Sequence, residues 1–189
     1  VTVRDVPAGS RLLVWLPVPQ TTSHQQASRL RQDVPVEPQQ TTESKYGNQM
    51  LHFELEPSSA KPLTFQVTWQ ITRNEVRGLD HSDPDARLDD AKRKTFLSAN
   101  AKVPIDGKPL TLIDSSKLSR DNPIKLGRSL YERVDDHMRY DKSQPGYGNG
   151  DVLWACDSGF GNCTDFHSLF ISLARGQGLP ARFEIGFPL

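Results

Sequence analysis

Sulfur and long apolar runs are scarce in this chain. It has two cysteines and two methionines among 189 residues, and hydrophobic residues make up 35%. Two cysteines are too few for a disulfide framework, and their spacing lacks the CxxC or HxxxH pattern of a zinc site. No apolar run approaches the ~20 residues that cross a bilayer. The sequence therefore predicts no metal site, no cofactor and no membrane span.

Neither positive nor negative charge is in excess. The 23 basic residues are balanced by 23 acidic ones, so no overall field favours nucleic acid as a partner. An initiator methionine is absent as well, because the chain begins at Val1. This start is typical of a processed or trimmed protein, and we expect a periplasmic or secreted location.

The N-terminal part is patterned as β-strands. Residues 63–72 alternate strictly between apolar and polar, with Phe65, Val67 and Trp69 on one face. Burial of such a face is worth about 1.5–3 kcal/mol per side chain. Shorter strands are predicted at 12–16 and 51–55, and together these segments favour a small antiparallel β-sandwich.

The chain divides by composition into three predicted parts. Residues 1–78 are expected to form the β domain, with long surface loops in the polar stretch 18–48. Residues 79–122 read as a linker that includes a solvated helix at 85–96 and a turn at 104–108. Residues 123–189 begin with a helix, because Asn122 is a good cap and a proline at the first helical position is favourable.

Apolar side chains recur every four residues in this helix and form its inner face: Leu126, Leu130, Val134 and Met138. A glycine-bearing loop over 140–150 follows, and we expect it to border a functional site. A second helix is predicted over 163–177. Its expected buried stripe contains Phe166, Leu169, Phe170 and Leu173, and the helix ends at Gly178. A strand is predicted over 182–187.

Cys163 occupies the first position of the second helix and is the candidate nucleophile. Asn162 is placed to cap the helix, and Asp165 is placed to complete a short capping box. The free N–H groups and the dipole of a helix start favour a negative charge, and the thiolate is the reactive form of cysteine. Gly161 lets the backbone approach a substrate closely. The alternative is that Cys163 only fills space.

Other side chains near Cys163 have two interpretations each. A disulfide with Cys156 would block the nucleophile, and we favour free thiols. Trp154 either lines a substrate cleft or packs in the core. Asp165 is expected to be a cap rather than a proton carrier. Arg182 is expected to pair with a carboxylate in the core.

The histidines give no clear general base. His167 lies one helical turn after Cys163, but both side chains lean toward the helix start, so we favour a hydrogen-bonded core histidine. His137 falls near a helix C-terminus, where histidine is favourable without any catalytic role. His52 and His81 are expected to be surface or linker residues.

The segment around Cys163 resembles the nucleophile segment of the transglutaminase-like superfamily. The likeness covers about residues 125–189 and is carried by Gly161-x-Cys163-x-Asp165-Phe166, by Leu169-Phe170-x-x-Leu173-Ala174-Arg175 and by Gly178-Leu179-Pro180-Ala181-Arg182. Bacterial members with an N-terminal β domain are the most similar. The resemblance implies an α+β protein in which an antiparallel β-sandwich-like domain precedes a partial papain-like core. It also implies a Cys-His-Asp triad with Cys163 as nucleophile.

The triad is incomplete in this sequence. In the family the His and Asp follow the Gly-Leu-Pro-Ala-Arg turn, and no residue up to Leu189 matches them. We therefore expect that the native protein continues, or that a second polypeptide completes the core. The resemblance implies a cysteine enzyme that acts on amide bonds of a protein or peptide through a thioester, as a peptidase, amidase or transamidase. The alternative is a non-enzymatic binding or scaffolding module.

Overall fold

The computed structural model describes residues 1–75 and 88–186. The chain separates into two compact units, Val1–Asp83 and Pro84–Leu189. The predicted boundary at residue 78 and the expected surface position of His81 lie outside the described residues. The predicted domain limits therefore stay a prediction.

Seven strands lie in the described part of the first unit, residues 1–75. They are β1 (Thr2–Val3), β2 (Leu12–Pro17), β3 (Gln25–Asp33), β4 (Gln39–Thr42), β5 (Gln49–Leu55), β6 (Leu63–Thr64) and β7 (Gln66–Arg73). All pairs are antiparallel: β5 lies between β2 and β4, β3 pairs with β7, and β1 pairs with β6.

The core of the first unit follows the predicted alternation. Phe53 and Phe65 are fully buried and meet edge to face, with ring centroids 5.0 Å apart. Val67 and Trp69 are partly buried against them. The prediction that Phe65, Val67 and Trp69 lie in or near a β-sheet core is confirmed.

The expectation of long loops over 18–48 is wrong, because this stretch contains β3 and β4. No side chain of β3 is fully buried, and every side chain of β4 is exposed. Such strands carry no alternation of apolar and polar residues. Their backbones are held by pairing with β7 and β5, which a local pattern does not reveal.

His52 is not a simple surface residue. It lies on β5, is half-buried, and its ring stacks on Trp15 with centroids 4.9 Å apart. Trp15 itself is 51% exposed, so the run around it on β2 is not a fully buried one.

Helices dominate the second unit. They are α1 (Asp90–Leu97), α2 (Pro123–His137), α3 (Val152–Ser158) and α4 (Cys163–Gly176), with short 3-10 turns at Lys108–Leu112 and Ser115–Lys117. Two short strands, β8 (Arg139–Tyr140) and β9 (Phe160–Gly161), pair in parallel. The described part of the predicted helix over 85–96 is α1, which buries no residue.

The core of the second unit is formed by α2, α3 and α4. Asn122 caps α2, and its predicted inner face is buried: Leu126, Leu130, Val134 and Met138. On α4, Leu169 and Leu173 are fully buried, whereas Phe166 and Phe170 are only partly buried. Side chains from 103–118 also pack against this core, so the described part of the predicted linker contributes to it.

Arg175 is buried near the end of α4 and joins two distant segments. Its Nε and Nη2 donate to the carbonyl oxygen of Ala181, at 2.9 and 2.7 Å. Its Nη1 donates to the carbonyl oxygen of Ser98 at 2.7 Å and to Oδ1 of Asn100 at 2.6 Å. A buried guanidinium with four such bonds fixes the chain after α1 against the chain after α4.

The predicted strand at 182–187 is not formed over its described part. Residues 182–186 have no regular structure, and residue 187 lies outside the described residues. Ile185 is 83% exposed. The reason is that a strand needs a paired neighbour, and none of the described strands pairs with this segment.

The α+β fold class is confirmed: an antiparallel β region precedes a mainly helical one. Among the described residues, no helix combines the length and the apolar character that crossing a membrane requires.

Candidate active site

Cys163 is exposed and is the first residue of α4. Asn162 caps the helix and accepts the backbone N–H of Thr164 through Oδ1 at 2.8 Å. Among the described residues, no hydrogen bond reaches the sulfur of Cys163. The thiol is therefore open to solvent at a position where the helix start favours a negative charge.

The chain enters α4 through the short parallel pair of β8 and β9. Arg139 donates its N–H to the carbonyl of Gly159 at 2.8 Å, and Asp141 donates to that of Gly161 at 3.1 Å. These bonds fix the backbone immediately before Asn162. The nucleophile candidate is thus held between a paired strand and a helix that is buried along one face.

Asp165 is fully buried, and its carboxylate accepts three backbone N–H groups. Oδ2 accepts from Asn162 at 3.0 Å, which completes the capping box of α4. The same oxygen accepts from Gly148 at 2.6 Å, and Oδ1 accepts from Gly150 at 3.0 Å. Asp165 therefore joins α4 to the segment 146–150, which we call the glycine loop.

The glycine loop passes over the residues that flank Cys163. A Cβ on Gly148 would come within 2.9 Å of Nδ2 of Asn162, and a Cβ on Gly150 would come within 3.3 Å of Cγ2 of Thr164. Gly148 also has a φ of +79°, which side-chain-bearing residues rarely adopt. Only glycine fits this close approach, so the loop borders the site as expected.

Gly161 is required for a related reason. A Cβ at this position would come within 2.5 Å of the Asp165 side chain. Gly161 thus makes room for the carboxylate beneath the start of α4, which is a packing role inside the unit.

Trp154 lies on α3 and is half-buried against the glycine loop. A Cβ on Gly146 would come within 2.8 Å of Nε1 of Trp154. The ring also packs against the core of the second unit. Helix α3 itself was not predicted, although Asp151, which caps it, and Gly159, which ends it with a φ of +65°, are recognisable signals.

Neither His167 nor His137 is hydrogen-bonded to the sulfur of Cys163. Nδ1 of His167 lies 2.7 Å from the carbonyl oxygen of Cys163, which can only accept, so Nδ1 carries the proton. The ring meets Phe183 edge to face at 5.2 Å and is exposed, so His167 is not a core residue. His137 donates from Nε2 to the carbonyl oxygen of Cys156 at 3.0 Å.

Both cysteines are free thiols and differ in environment. Cys156 is buried on α3, and this burial raises the pKa of its thiol. Nearby Lys108 opposes the rise and Asp157 adds to it. Cys163 is the accessible thiol of the pair.

Arg182 does pair with a carboxylate, but not in the core. Its Nη2 contacts Oε1 of Glu184 at the surface, and its guanidinium lies 5.4 Å from the ring centre of Phe96. The arginine that is buried in this unit is Arg175, not Arg182. Among residues 1–75 and 88–186, no three metal-ligating side chains cluster.

Comparison with known proteins gives a match for the segment that contains Cys163. Residues 113–189 match the family model of the transglutaminase-like superfamily. An uncharacterized protein of Haemophilus influenzae is 28% identical over 195 residues, which cover 97% of this chain and 53% of that protein. The chain thus spans about half the length of the curated relative that it matches. No solved structure matches it.

The matched segment contains α2, α3, α4 and Cys163. The site therefore lies in a transglutaminase-like segment, and the resemblance drawn from the motif around Cys163 is confirmed.

Proposed function

We propose that the protein is a transglutaminase-like cysteine enzyme that acts on amide bonds of a protein or peptide. The observation that carries this proposal is the exposed thiol of Cys163 at the first position of a capped helix, within the segment that matches the superfamily. A rigid helix reduces the positional freedom of a nucleophile, and its dipole favours the thiolate.

The proposed reaction has two steps. The thiolate of Cys163 attacks the carbonyl carbon of the amide, a C–S bond forms, the C–N bond breaks, and the amine leaves with a proton. The product is a thioester acyl-enzyme. In the second step the C–S bond breaks and the thiolate of Cys163 is regenerated. Attack by water releases a carboxylic acid, as in a peptidase or amidase, whereas attack by an amine forms a new amide, as in a transamidase; in each case the attacking group loses a proton to a base.

The backbone N–H of Cys163 is the proposed oxyanion donor. It belongs to the first turn of α4, and it has no acceptor among the described residues. A preorganised N–H near the attacked carbonyl stabilises the charge that develops on oxygen.

The reaction also needs a general base within hydrogen-bond reach of the sulfur. Because no described side chain hydrogen-bonds the sulfur of Cys163, we propose that the base comes from outside the described residues. Either a further part of the protein or a second polypeptide would supply it. The segment 182–186 supports this proposal. No described strand pairs with its backbone, and its Phe183 contacts His167, so a further segment that paired with it would lie close to Cys163.

A second candidate function is a binding or scaffolding module. The observation in its favour is that, within the described part of the chain, no side chain bonds the thiol of Cys163. Such a module would use the transglutaminase-like segment for recognition and would form no acyl-enzyme.

The test compares the 189-residue chain with the intact gene product on a panel of peptide amides and anilides. Acid-quenched samples are analysed by intact mass for an acyl adduct, and release of amine is followed. We expect an adduct and turnover with the intact product, loss of both in Cys163→Ala, and retention of both in the control Cys156→Ala. Absence of any adduct from the folded intact product would favour the binding module.

A further inference from the structure

The first unit contains a polar groove that the proposed reaction does not use. Its volume is about 450 Å³, and its lining includes Gln20, Gln40, Gln49, Arg29 and Trp69. These residues come from β3, β4, β5, β7 and the segment after β2, so the groove lies where several strands of this unit meet. A cavity of this size is within the range of small-ligand sites.

Three glutamine amides are arranged along the groove. Nε2 of Gln20 donates to the carbonyl oxygen of Gly47 at 2.9 Å. Nε2 of Gln40 donates to Oε1 of Gln49 at 3.1 Å. These bonds orient the amides, and within the described residues they leave Oε1 of Gln20, Oε1 of Gln40 and the NH₂ of Gln49 without a protein partner. The groove therefore offers oriented acceptors together with a donor.

Trp69 adds a flat apolar surface. It is half-buried and packs against the core that contains Phe65. This packing restrains the side chain, which also lines the groove. Arg29, opposite Trp69 in the pairing of β3 with β7, donates from Nη1 to Gln32 at 2.8 Å and keeps further N–H groups.

We propose that this groove binds a neutral oligosaccharide. Sugar hydroxyls both donate and accept, as the glutamine amides do, and the C–H face of a sugar ring packs against an indole. Among the described lining residues, one is cationic and none is acidic, so the groove suits neither a polyphosphate nor a metal ion. The first unit would then attach the protein to a glycan.

A peptide is the competing occupant. An extended peptide would pair with the edge of β4 that faces away from β5, with which no described strand pairs. The polar side chains of β4 provide no pockets for apolar peptide side chains, and this favours the sugar. The test must therefore distinguish peptide binding from sugar binding.

The first measurement is an NMR titration of the complete 189-residue chain with chitotetraose, cellotetraose, maltotetraose and an extended peptide of four neutral residues. We expect saturable shifts of the indole N–H of Trp69 with at least one tetrasaccharide. The indole of Trp15, which does not line the groove, should stay unchanged and is the internal control.

The second measurement uses neighbouring residues of β4. Gln40 lines the groove and Gln39 does not, so Gln40→Ala should weaken sugar binding about three- to tenfold, the effect of losing one hydrogen bond. Gln39→Ala should leave it unchanged. The proposal is overturned if no tetrasaccharide binds at millimolar concentration, if only the peptide binds, or if both variants weaken binding equally.

Discussion

The carboxylate of Asp165 accepts the backbone N–H of Gly148 at 2.6 Å, across 17 residues of sequence. The same side chain closes the capping box of α4 by accepting from Asn162. A residue that reads as a helix cap therefore also determines the conformation of the glycine loop beside Cys163. This relationship makes the geometry of the candidate active site depend on one buried carboxylate.

Replacement of Asp165 by Asn should destabilise the second unit and release the glycine loop. The amide keeps one acceptor oxygen but turns an NH₂ toward backbone donors, so at least one buried N–H loses its partner at a cost of about 1–3 kcal/mol. Urea unfolding should report this loss, and hydrogen exchange should be faster at Gly148 and Gly150. The control is Asp157→Asn, which removes only a surface pair with Lys108 and should change neither quantity. Unchanged exchange at both glycines would contradict the proposed role of Asp165.

Gly148→Ala should cost more stability than Gly178→Ala. The two positions have nearly equal φ values, +79° and +82°, so both variants carry the penalty of about 1–2 kcal/mol for a left-handed residue. Only at Gly148 does the new Cβ meet a neighbour, the side chain of Asn162, whose displacement removes a helix cap worth about 1 kcal/mol. Denaturant unfolding of both variants measures the difference. Equal losses of stability in the two variants would mean that a Cβ at position 148 does not displace the side chain of Asn162.

Iodoacetamide should modify Cys163 before Cys156. The thiolate is the reacting form, and burial raises the pKa of Cys156, so its modification should increase only at higher pH than for an ordinary cysteine. Cys163 is exposed, so the reagent reaches its sulfur without any opening of the structure. Peptide mapping after labelling from pH 6 to pH 9 gives the extent of modification of each cysteine as a function of pH. Faster labelling of Cys156 in the native protein would remove the basis for Cys163 as the nucleophile.

Arg175→Lys should lower the stability of the second unit by about 1.5–3 kcal/mol, because a lysine retains the charge but cannot reproduce the hydrogen bonds of the guanidinium to Ala181, Ser98 and Asn100. The melting temperature measures the effect. Arg128→Lys is the matched control, since Arg128 is exposed on α2 and contacts only near neighbours on the helix surface, the carboxylate of Glu132 and the ring of Tyr131. Similar melting temperatures for the two variants would contradict a structural role for Arg175.

Local signals in the sequence were sufficient to predict α2 and α4, although not the intervening helix α3. Asn122 and Asn162 mark the starts of α2 and α4, and the four-residue spacing from Leu126 to Met138 identifies a buried face. Helix caps and periodic apolar faces depend on residues three or four apart, so they can be recognised in the sequence without knowing which element packs against the helix. The same holds for the alternation of Phe65, Val67 and Trp69, which predicts a half-buried strand.

Tertiary structure alone decided the polar strands, the irregular C-terminal segment and the long-range hydrogen bonds. Strands β3 and β4 exist because β7 and β5 pair with polar segments that have no apolar pattern of their own. The segment 182–186 remains irregular because no described strand lies beside it, although its sequence alternates. Asp165 binds the glycine loop, and Arg175 joins Ser98 to Ala181, through contacts between residues far apart in the chain. Such contacts have no local signature, because their energy arises only when the folded chain brings buried donors and acceptors together.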